Sequence, residues 1–586
     1  MQIEKERTSW LERPLASYLP AFNLETLLIT LIIILAIFSR FYILGERVMS
    51  HDETNHVVPS FSLYQGQGYQ HDPITHGPFQ FHIVALSYFL LGDGDFSSRV
   101  PAALFSVATV LLGWLLFRRL FGRTGGLVAA FLLLISPYLS FYGRYTRNEA
   151  FIALYLLVML FAILRYLETG RSRYLYLFTL AVVMHVCSKE TSFIYSAQAL
   201  FFLAVLLLVR VLNRPWVKPE KVRPFLLILL AAIILVGVGL GLGMLTGKGQ
   251  TGNETPAANQ PPQANSPTAV TPGEQPVLPP SKLPQGVVGL GVVLGVASVY
   301  FLATGYGLNN LRKERSFDLL ILLGTLVLPS LSAFPLKLLG VKIPVNATEV
   351  NNLTTVTMVE IGAVVLALFL LSAAIGLWWK RKAWLGNAAL YYAIFTVFYT
   401  TMFTNGAGFL TGIVGSLGYW LTQQGVQRGS QPWYFFALVQ VPMYEYLPLL
   451  GTLLALGLAI AKRGFGGPFV EEPAVKEEEA ETADEPAGET ILPPERVAET
   501  EEMPDGDPAT HVHTDEYFVQ EKLPMMALLL YWAFSSLAAY SIAGEKMPWL
   551  TVHIATPMIL CAAWAFGWLI DTTDWQRLWA QRGWLV

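Results

Sequence analysis

The sequence predicts an all-α polytopic membrane protein of about 14 helices, with interfacial helices in its first outer loop. Three observations carry this. Of the 586 residues, 54% are hydrophobic and only 14% charged, against roughly 25% charged in soluble domains; mean hydropathy is +0.48. Apolar runs of the about 20 residues needed to span hydrocarbon as helix recur along the whole length. The turns between those runs are alternately basic and not, as when a chain threads a membrane with its Lys and Arg kept inside.

Residues 1–24 form a polar cytoplasmic segment carrying Lys5, Arg7 and Arg13. A first membrane module follows over 25–246. Its first apolar run, 24–44, is too long for the core of a signal peptide and has no small-residue cleavage site after it, so it stays as a span. The outer loop 46–96 comes next; its stretch 77–86 reads as an interfacial helix, too short and too flanked by polar groups to cross. Helix 2 returns to Arg118-Arg119-Leu120-Phe121-Gly122-Arg123, and helix 3 goes out to 142–149. Helix 4 comes back to Arg165, Arg171 and Arg173, helix 5 goes out to 188–191, and helix 6 returns to Arg210, Arg214, Lys218, Lys221 and Arg223.

Helix 7 leads to 247–284, whose Pro, Gln, Asn, Thr and Ala cannot bury a core; a disordered outer loop is expected. A second membrane portion covers 285–465, with basic turns at 312–315 and 380–382 and an outer Gly- and aromatic-rich segment at 404–433. The tract 466–520 is low-complexity Glu/Pro/Ala, and residues 471–521 hold 18 acids with only Lys476 and Arg496 as bases. It reads as a flexible cytoplasmic linker, and acids weigh little in topology. Residues 521–586 form a C-terminal helix pair that goes out to 543–549 and returns the C-terminus to the cytoplasm. The expected setting is the cell membrane, with both termini inside.

Ionisable residues gather at the outer helix ends. The first outer loop holds five of the nine histidines, His51, His56, His71, His76 and His82, with Asp52, Glu53 and Asp72. Arg144, Arg147 and Glu149 follow helix 3, Lys189 and Glu190 follow helix 5, and Glu545 and Lys546 follow helix 13. Charges at membrane depth cost about 2.5–3.5 kcal/mol each on insertion scales, so they tend to pair and to face a cavity. Acids and bases converging at one interface suit a group transfer with an anionic leaving group. A carboxylate takes a proton from an acceptor hydroxyl, Arg and Lys stabilise the charge on a departing phosphate, and Glu149 and Glu190 orient those cations.

Each element also has a plainer reading. Arg144 and Arg147 suffice as helix-end anchors, Lys189-Glu190 and Glu545-Lys546 as local ion pairs, and Asp52-Glu53 as a helix cap. His51/Asp52/His56 and His71/Asp72/His76 offer ligand types for a divalent metal in the first outer loop, without a zinc signature such as HExxH. Cys187 and Cys561 lie far apart, in or beside apolar runs, with neither a disulfide framework nor metal spacing. Asn253-Glu254-Thr255 and Asn346-Ala347-Thr348 match the N-glycosylation pattern, which is short enough to arise by chance.

The order of these features resembles a known family. Helix 1 is followed by Asp52-Glu53, an amphipathic loop with a Gly/Pro-rich turn, and Phe96-Ser97-Ser98-Arg99-Val100-Pro101-Ala102-Ala103-Leu104. Then come Arg118-Arg119-Leu120-Phe121-Gly122, Ser136-Pro137 and Tyr142-Gly143-Arg144. This resembles the GT-C-type, family 39 glycosyltransferases: the protein O-mannosyltransferases and the aminoarabinose lipid A transferases. Within that group it looks nearest to a bacterial and archaeal glycosyltransferase-like branch associated with flippase activity. The likeness covers about 25–210 and returns at Gly544-Glu545-Lys546-Met547-Pro548-Trp549-Leu550, similar to a Gly-Lys-Leu-Pro segment of the lipid A transferases. Residues 224–520 have no counterpart in the well-studied members.

The resemblance implies a GT-C-like bundle whose module 25–246 is catalytic. It implies a polyprenyl-phosphate-linked sugar donor, a protein, lipid or glycan acceptor, an outer-face site and an inverting displacement that requires no cofactor or metal. Asp52 matches the family's first-loop acid and would be the base, with Glu53 its catalytic neighbour. Glu149 stands where the family has a second acid, usually Asp. Lys189 sits near a family lysine, but the lipid A transferases have Lys-Gly where this chain has Lys189-Glu190. The substrate site is then expected to draw on His51, His56, Asp72, His76, Arg144, Arg147, Glu149, Lys189, Glu190 and Lys546, with no nucleic-acid partner. Two other readings stay open: a flippase or transporter of lipid-linked glycans, and a non-catalytic GT-C-like subunit. A transporter would place charges at mid-bilayer in broken helices.

Overall fold

The computed structural model describes residues 23–247, 283–423, 431–461 and 523–581. The expected N-terminal segment, the outer loop 247–284 and the acidic linker 466–520 fall, but for their edges, outside the described residues. Among the described residues there is no β-strand. The helices begin with α1 (Leu24–Phe41), α2 (His51–Tyr64), α3 (Phe79–Leu91), α4 (Asp95–Ile135), α5 (Pro137–Tyr142), α6 (Glu149–Thr169), α7 (Arg173–Val186) and α8 (Thr191–Leu212). There follow α9 (Val222–Gly247), α10 (Leu283–Leu302), α11 (Leu308–Lys313), α12 (Arg315–Val327), α13 (Ala333–Leu338), α14 (Ala347–Asn351) and α15 (Thr355–Tyr399). The last are α16 (Ala407–Leu410), α17 (Ser416–Gln423), α18 (Val441–Tyr444), α19 (Tyr446–Ala461), α20 (Met525–Ile542), α21 (Thr551–Thr572) and α22 (Trp575–Ala580).

Ten helices among the described residues are long and apolar enough to cross a membrane, and a bent pair, Phe435–Tyr444 with Tyr446–Ala461, makes an eleventh. Two of the ten are hairpins rather than rods. The chain leaves helical geometry inside α4 at Gly122, whose φ of 81° is open to glycine. A Cβ on Gly113 would then meet Leu133 Cδ1 at 2.2 Å, although a straight helix would hold those residues about 30 Å apart. α15 turns back in the same way at Lys380, bringing Trp384 onto Gly376. Both reversals fall in the basic turns expected from sequence. With each hairpin taken as two, the eleven become thirteen, and among the described residues three shorter apolar helices accompany them, Phe79–Leu91, Arg173–Val186 and Ala407–Leu421.

α21 runs through the middle, with Thr551 to Ala563 buried without interruption. Its small residues let neighbours come close. A Cβ on Gly567 would lie 2.6 Å from Gly125 Cα, and one on Gly451 would lie 2.3 Å from Ala562 Cβ. Thr452 Oγ1 donates to the Met558 carbonyl at 3.1 Å, and Tyr195 Oη pairs with His553 Nδ1 at 2.8 Å. In lipid, where the hydrophobic effect does not separate one helix from another, such packing and interhelical hydrogen bonds hold a bundle together.

Chain direction sorts the turns to two ends. Basic residues dominate one end and pair there: Arg118 with Glu25 at 2.8 Å, Lys380 with Asp318 at 2.8 Å, and Arg214 with Glu314. The connections 42–50, 65–78, 143–148, 187–190 and 543–550 gather at the other end.

A candidate active site at the loop end of the bundle

α2 opens with a capping box. Ser50 Oγ accepts from Glu53 N, and the Glu53 side chain reaches back to Ser50 N at 3.1 Å. The Glu53 carboxylate is wholly buried and takes four more hydrogen bonds: Arg99 Nε at 2.8 Å and Nη2 at 3.1 Å, Arg47 Nη2 at 2.9 Å and Thr146 N at 3.1 Å. Burial works to raise this carboxyl, but the bonds from Arg99, Ser50 and Thr146 outweigh it and hold Glu53 below its ordinary value. Arg99 is itself fully buried and spends Nη1 on the Leu44 and Arg47 carbonyls. Both oxygens of Glu53 are therefore occupied by the fold.

Asp52, the preceding residue, points elsewhere. Its side chain is 39% accessible, and its Oδ2 lies 3.2 Å from Arg147 Nη1. From there a chain of charges runs inward. Arg147 Nε contacts Glu149 Oε2 at 3.4 Å, and Lys189 Nζ donates to Glu149 Oε1 at 2.5 Å. The Trp549 ring lies 3.8 Å from the Arg147 guanidinium carbon, a cation–π contact supplied by the C-terminal helix pair. Arg147, Glu149 and Lys189 are all buried. His56, one turn along α2 and also buried, feels Arg147, Glu149 and Lys189; burial first, then Arg147, lowers it to about 3. It is therefore a neutral imidazole beside the cluster.

The loop before α3 docks on the turn between α7 and α8. Gly77 N donates to the Ser188 carbonyl at 3.0 Å and Phe79 N to the Cys187 carbonyl at 2.8 Å. Only glycine fits at 77, because a Cβ there would stand 2.3 Å from the Cys187 carbonyl oxygen. This sets His76, whose backbone has a φ of 74°, against Glu190, with Nδ1 to Oε2 at 2.8 Å and Trp420 stacked at 5.5 Å. A left-handed histidine is strained and is held by its surroundings.

The structure thus brings together Asp52, Glu53, His56, His76, Arg147, Glu149, Lys189 and Glu190. The other expected residues lie apart from this contact network. Arg144 is spent on the end of α1, donating to the Ser39 carbonyl at 2.7 Å and the Tyr42 carbonyl at 2.6 Å. His51 is exposed at the start of α2. Asp72 Oδ1 caps Ile74 N at 2.9 Å, and Lys546 Nζ donates to the Ala543 carbonyl of its own turn at 2.8 Å. The histidines and aspartates of the first loop do not converge as a ligand set: among the described residues no three His, Cys, Asp or Glu are grouped to hold a metal ion. Arg47, Arg99, Thr146 and Trp549 enter the site without having been singled out from sequence. A lone Arg at the head of an apolar run is a signal that could have found Arg99.

Residues 75–240 match the family model of dolichyl-phosphate-mannose-protein mannosyltransferases. No curated protein matches the chain in sequence. Among solved structures, the apo oligosaccharyltransferase of Archaeoglobus fulgidus is similar over 95% of this chain and 52% of its own, at 13% identity and a TM-score of 0.42. The same organism's AglB, in complex with an inhibitory peptide and a dolichol-phosphate, gives 14% identity, the same coverages and a TM-score of 0.39. ArnT from Cupriavidus metallidurans, bound to undecaprenyl phosphate, is similar over 92% of this chain and 76% of its own, at 12% identity and a TM-score of 0.25. The chain spans about half the length of the archaeal chains. The matched segment holds Arg99, Arg147, Glu149, Lys189 and Glu190, and Asp52 and Glu53 precede it. The chain is an all-α protein with ten or more helices fit to cross a membrane, and its residues 75–240 are similar to the dolichyl-phosphate-mannose-protein mannosyltransferases.

Proposed function

We propose that the protein is an integral-membrane glycosyltransferase that moves a sugar from a polyprenyl-phosphate donor to an acceptor hydroxyl on the outer face of the membrane. One observation carries this: Asp52 is the accessible acid of the cluster and touches Arg147, so a base and an anion-binding cation stand side by side. The acceptor O–H gives its proton to the Asp52 carboxylate as its oxygen attacks the anomeric carbon. The bond from that carbon to the phosphate oxygen breaks, and the polyprenyl phosphate leaves with the electron pair, inverting the sugar. Arg147 stabilises the phosphate charge. Glu149 orients Arg147 and ties it to Lys189, whose charge adds to the field behind it. Glu53 fixes the first turn of α2 and so aims Asp52; it is a positioning residue.

The description of the matched family, which names a dolichyl-phosphate-linked sugar, supports the donor class. The outer-face assignment rests on the basic turns at the opposite end of the bundle. The test is transfer from a panel of radiolabelled polyprenyl-phosphate sugars by the full chain in lipid nanodiscs. Asp52→Asn is expected to lower transfer by roughly 100-fold or more while donor binding persists. Transfer near the wild-type rate in Asp52→Asn would remove the base assignment, and a protein that binds none of the donors would remove the substrate class.

One observation favours a second reading, a flippase of lipid-linked glycans. The bent pair Phe435–Tyr444 and Tyr446–Ala461 turns by 108°, and Glu445 at the break is 1% exposed. Its Oε1 accepts from Ser136 Oγ at 2.6 Å and Tyr138 N at 3.2 Å. A buried acid at a broken helix suits an ion-coupled transporter. Movement of a fluorescent lipid-linked sugar across vesicles, lost in Glu445→Gln while sugar transfer survives, would establish it.

A further inference from the structure

The end of α1 that meets the loops gathers arginines. Arg40 Nη1 donates to Ser39 Oγ at 2.8 Å, and Arg144 donates to the Ser39 and Tyr42 carbonyls. Arg99 Nη1 takes the Leu44 and Arg47 carbonyls, and Arg47 Nη2 reaches Glu53 at 2.9 Å. Cations favour the C-terminal end of a helix, whose last carbonyls lack partners, and this explains the gathering. The charge is not balanced there. Among the described residues Glu53 is the one carboxylate that pairs with any of these arginines. Glu46 is the exposed acid of the turn itself, and Asp93 and Asp95, at the head of α4, pair with none of them. Burial first, then the charges of Arg47 and Arg99, lowers Arg144 from its ordinary value.

Arg47 and Arg144 are the two of this group that reach the surface. The bonds above are their only side-chain hydrogen bonds among the described residues, so most of their N–H donors stay open. The Arg47 guanidinium lies 4.6 Å from the Tyr145 ring centre and 5.4 Å from that of Phe141. The surface around it is apolar: Phe38, Tyr42, Ile43, Val48 and Phe141 are all exposed. Aromatic and aliphatic side chains at the end of a span meet lipid at headgroup level. A soluble anion gains nothing from such a rim, whereas a lipid brings a phosphate and acyl chains together. Guanidinium groups match the oxygens of a phosphate in pairs.

We propose that Arg47 and Arg144 form a ledge for the headgroup phosphate of an anionic phospholipid, with its acyl chains along Phe38 and Tyr42. The polyprenyl phosphate of the proposed reaction has cations of its own, Arg147 and Lys189, so the ledge is a second lipid site. It stands whether or not the protein transfers a sugar. The test uses the full chain in phosphatidylcholine nanodiscs doped with phosphatidylglycerol or phosphatidylcholine that carries a diazirine beside the headgroup. Adducts are mapped by peptide mass spectrometry. Phosphatidylglycerol is expected to label 38–48 and 141–145 at least about tenfold more than phosphatidylcholine. Arg47→Gln with Arg144→Gln should remove that preference. Because Arg144 also anchors α1, Val48→Glu serves as a second variant. Val48 is 86% exposed, so the new carboxylate sits beside the ledge without disturbing the fold. It should lower the phosphatidylglycerol adducts about fivefold.

Equal labelling by the two lipids, adducts that Val48→Glu leaves unchanged, or adducts confined to the basic turns at the opposite end would overturn the proposal. Displacement of the label by undecaprenyl phosphate but not by an equal amount of unlabelled phosphatidylglycerol would overturn it too, by making the ledge part of the donor site.

Discussion

Asp52 and Glu53 are consecutive, yet their carboxylates occupy opposite environments. Glu53 is sealed among five hydrogen bonds from Arg99, Arg47, Ser50 and Thr146, while Asp52 stays 39% accessible with Arg147 at 3.2 Å. The two acids should therefore fail differently. Glu53→Gln leaves the Arg99 charge buried with its strongest partner gone, a loss of about 3–5 kcal/mol. Thermal unfolding of Glu53→Gln should occur at a clearly lower temperature than that of Asp52→Asn. Adding Arg99→Met should restore much of the difference, and a double mutant no better than Glu53→Gln would count against the clamp.

Trp549 covers the guanidinium of Arg147 at 3.8 Å. Removing the ring as Trp549→Ala takes away a contact of about 0.5–2 kcal/mol and frees the guanidinium to move. Steady-state kinetics should show a raised KM for the lipid-linked donor, with kcat reduced less, and Trp549→Phe should recover part of the loss. An unchanged KM would mean that Arg147 does not meet the donor.

The pH dependence of stability should report on Glu190. Burial pushes its carboxyl up to about 8, against the pull of Lys189. A folded value above the unfolded one contributes stability that is full below the unfolded value and is lost as pH rises through the folded one. Glu190→Gln carries no such charge. Its melting temperature relative to wild type should therefore rise steadily between about pH 5 and pH 9. Parallel curves across that range would place the proton elsewhere.

Gly77→Ala tests the docking of the first loop. The added methyl meets the Cys187 carbonyl oxygen at 2.3 Å, and overpacking of this kind costs about 1–3 kcal/mol. Amide exchange at 76–79 should quicken, and transfer should fall about tenfold as His76 leaves Glu190. Unchanged exchange there would show that the bundle absorbs the methyl without moving the loop.

Much of the frame could be read directly from the chain. Apolar runs and basic turns anticipate the reversals at Gly122 and Lys380, because both follow from local hydropathy and charge. The pairing of Asp52 with Arg147 and of Lys189 with Glu149 follows from placing all four at one set of helix ends. The roles of Glu53 and Arg144 were not legible. Glu53 is defined by Arg99, in another helix, and Arg144 is spent on backbone carbonyls of α1. Neither relationship leaves a periodic trace in the sequence. Asp72 and His71 sit within a few residues of His76 in the chain, but the turn at His76 sends them to another wall.

The placement of Trp549 and α21 also orders events during synthesis. The buried centre of the bundle and the cover over Arg147 are supplied by α21 and the turn before it, so the ribosome completes Asp52, Arg147, Glu149 and Lys189 long before that cover exists. Until that segment arrives, Arg147 lacks the Trp549 ring and the cluster lacks the backing of α21. The contacts among Asp52, Arg147, Glu149 and Lys189 join segments made earlier, whereas their cover by Trp549 waits for the later helices.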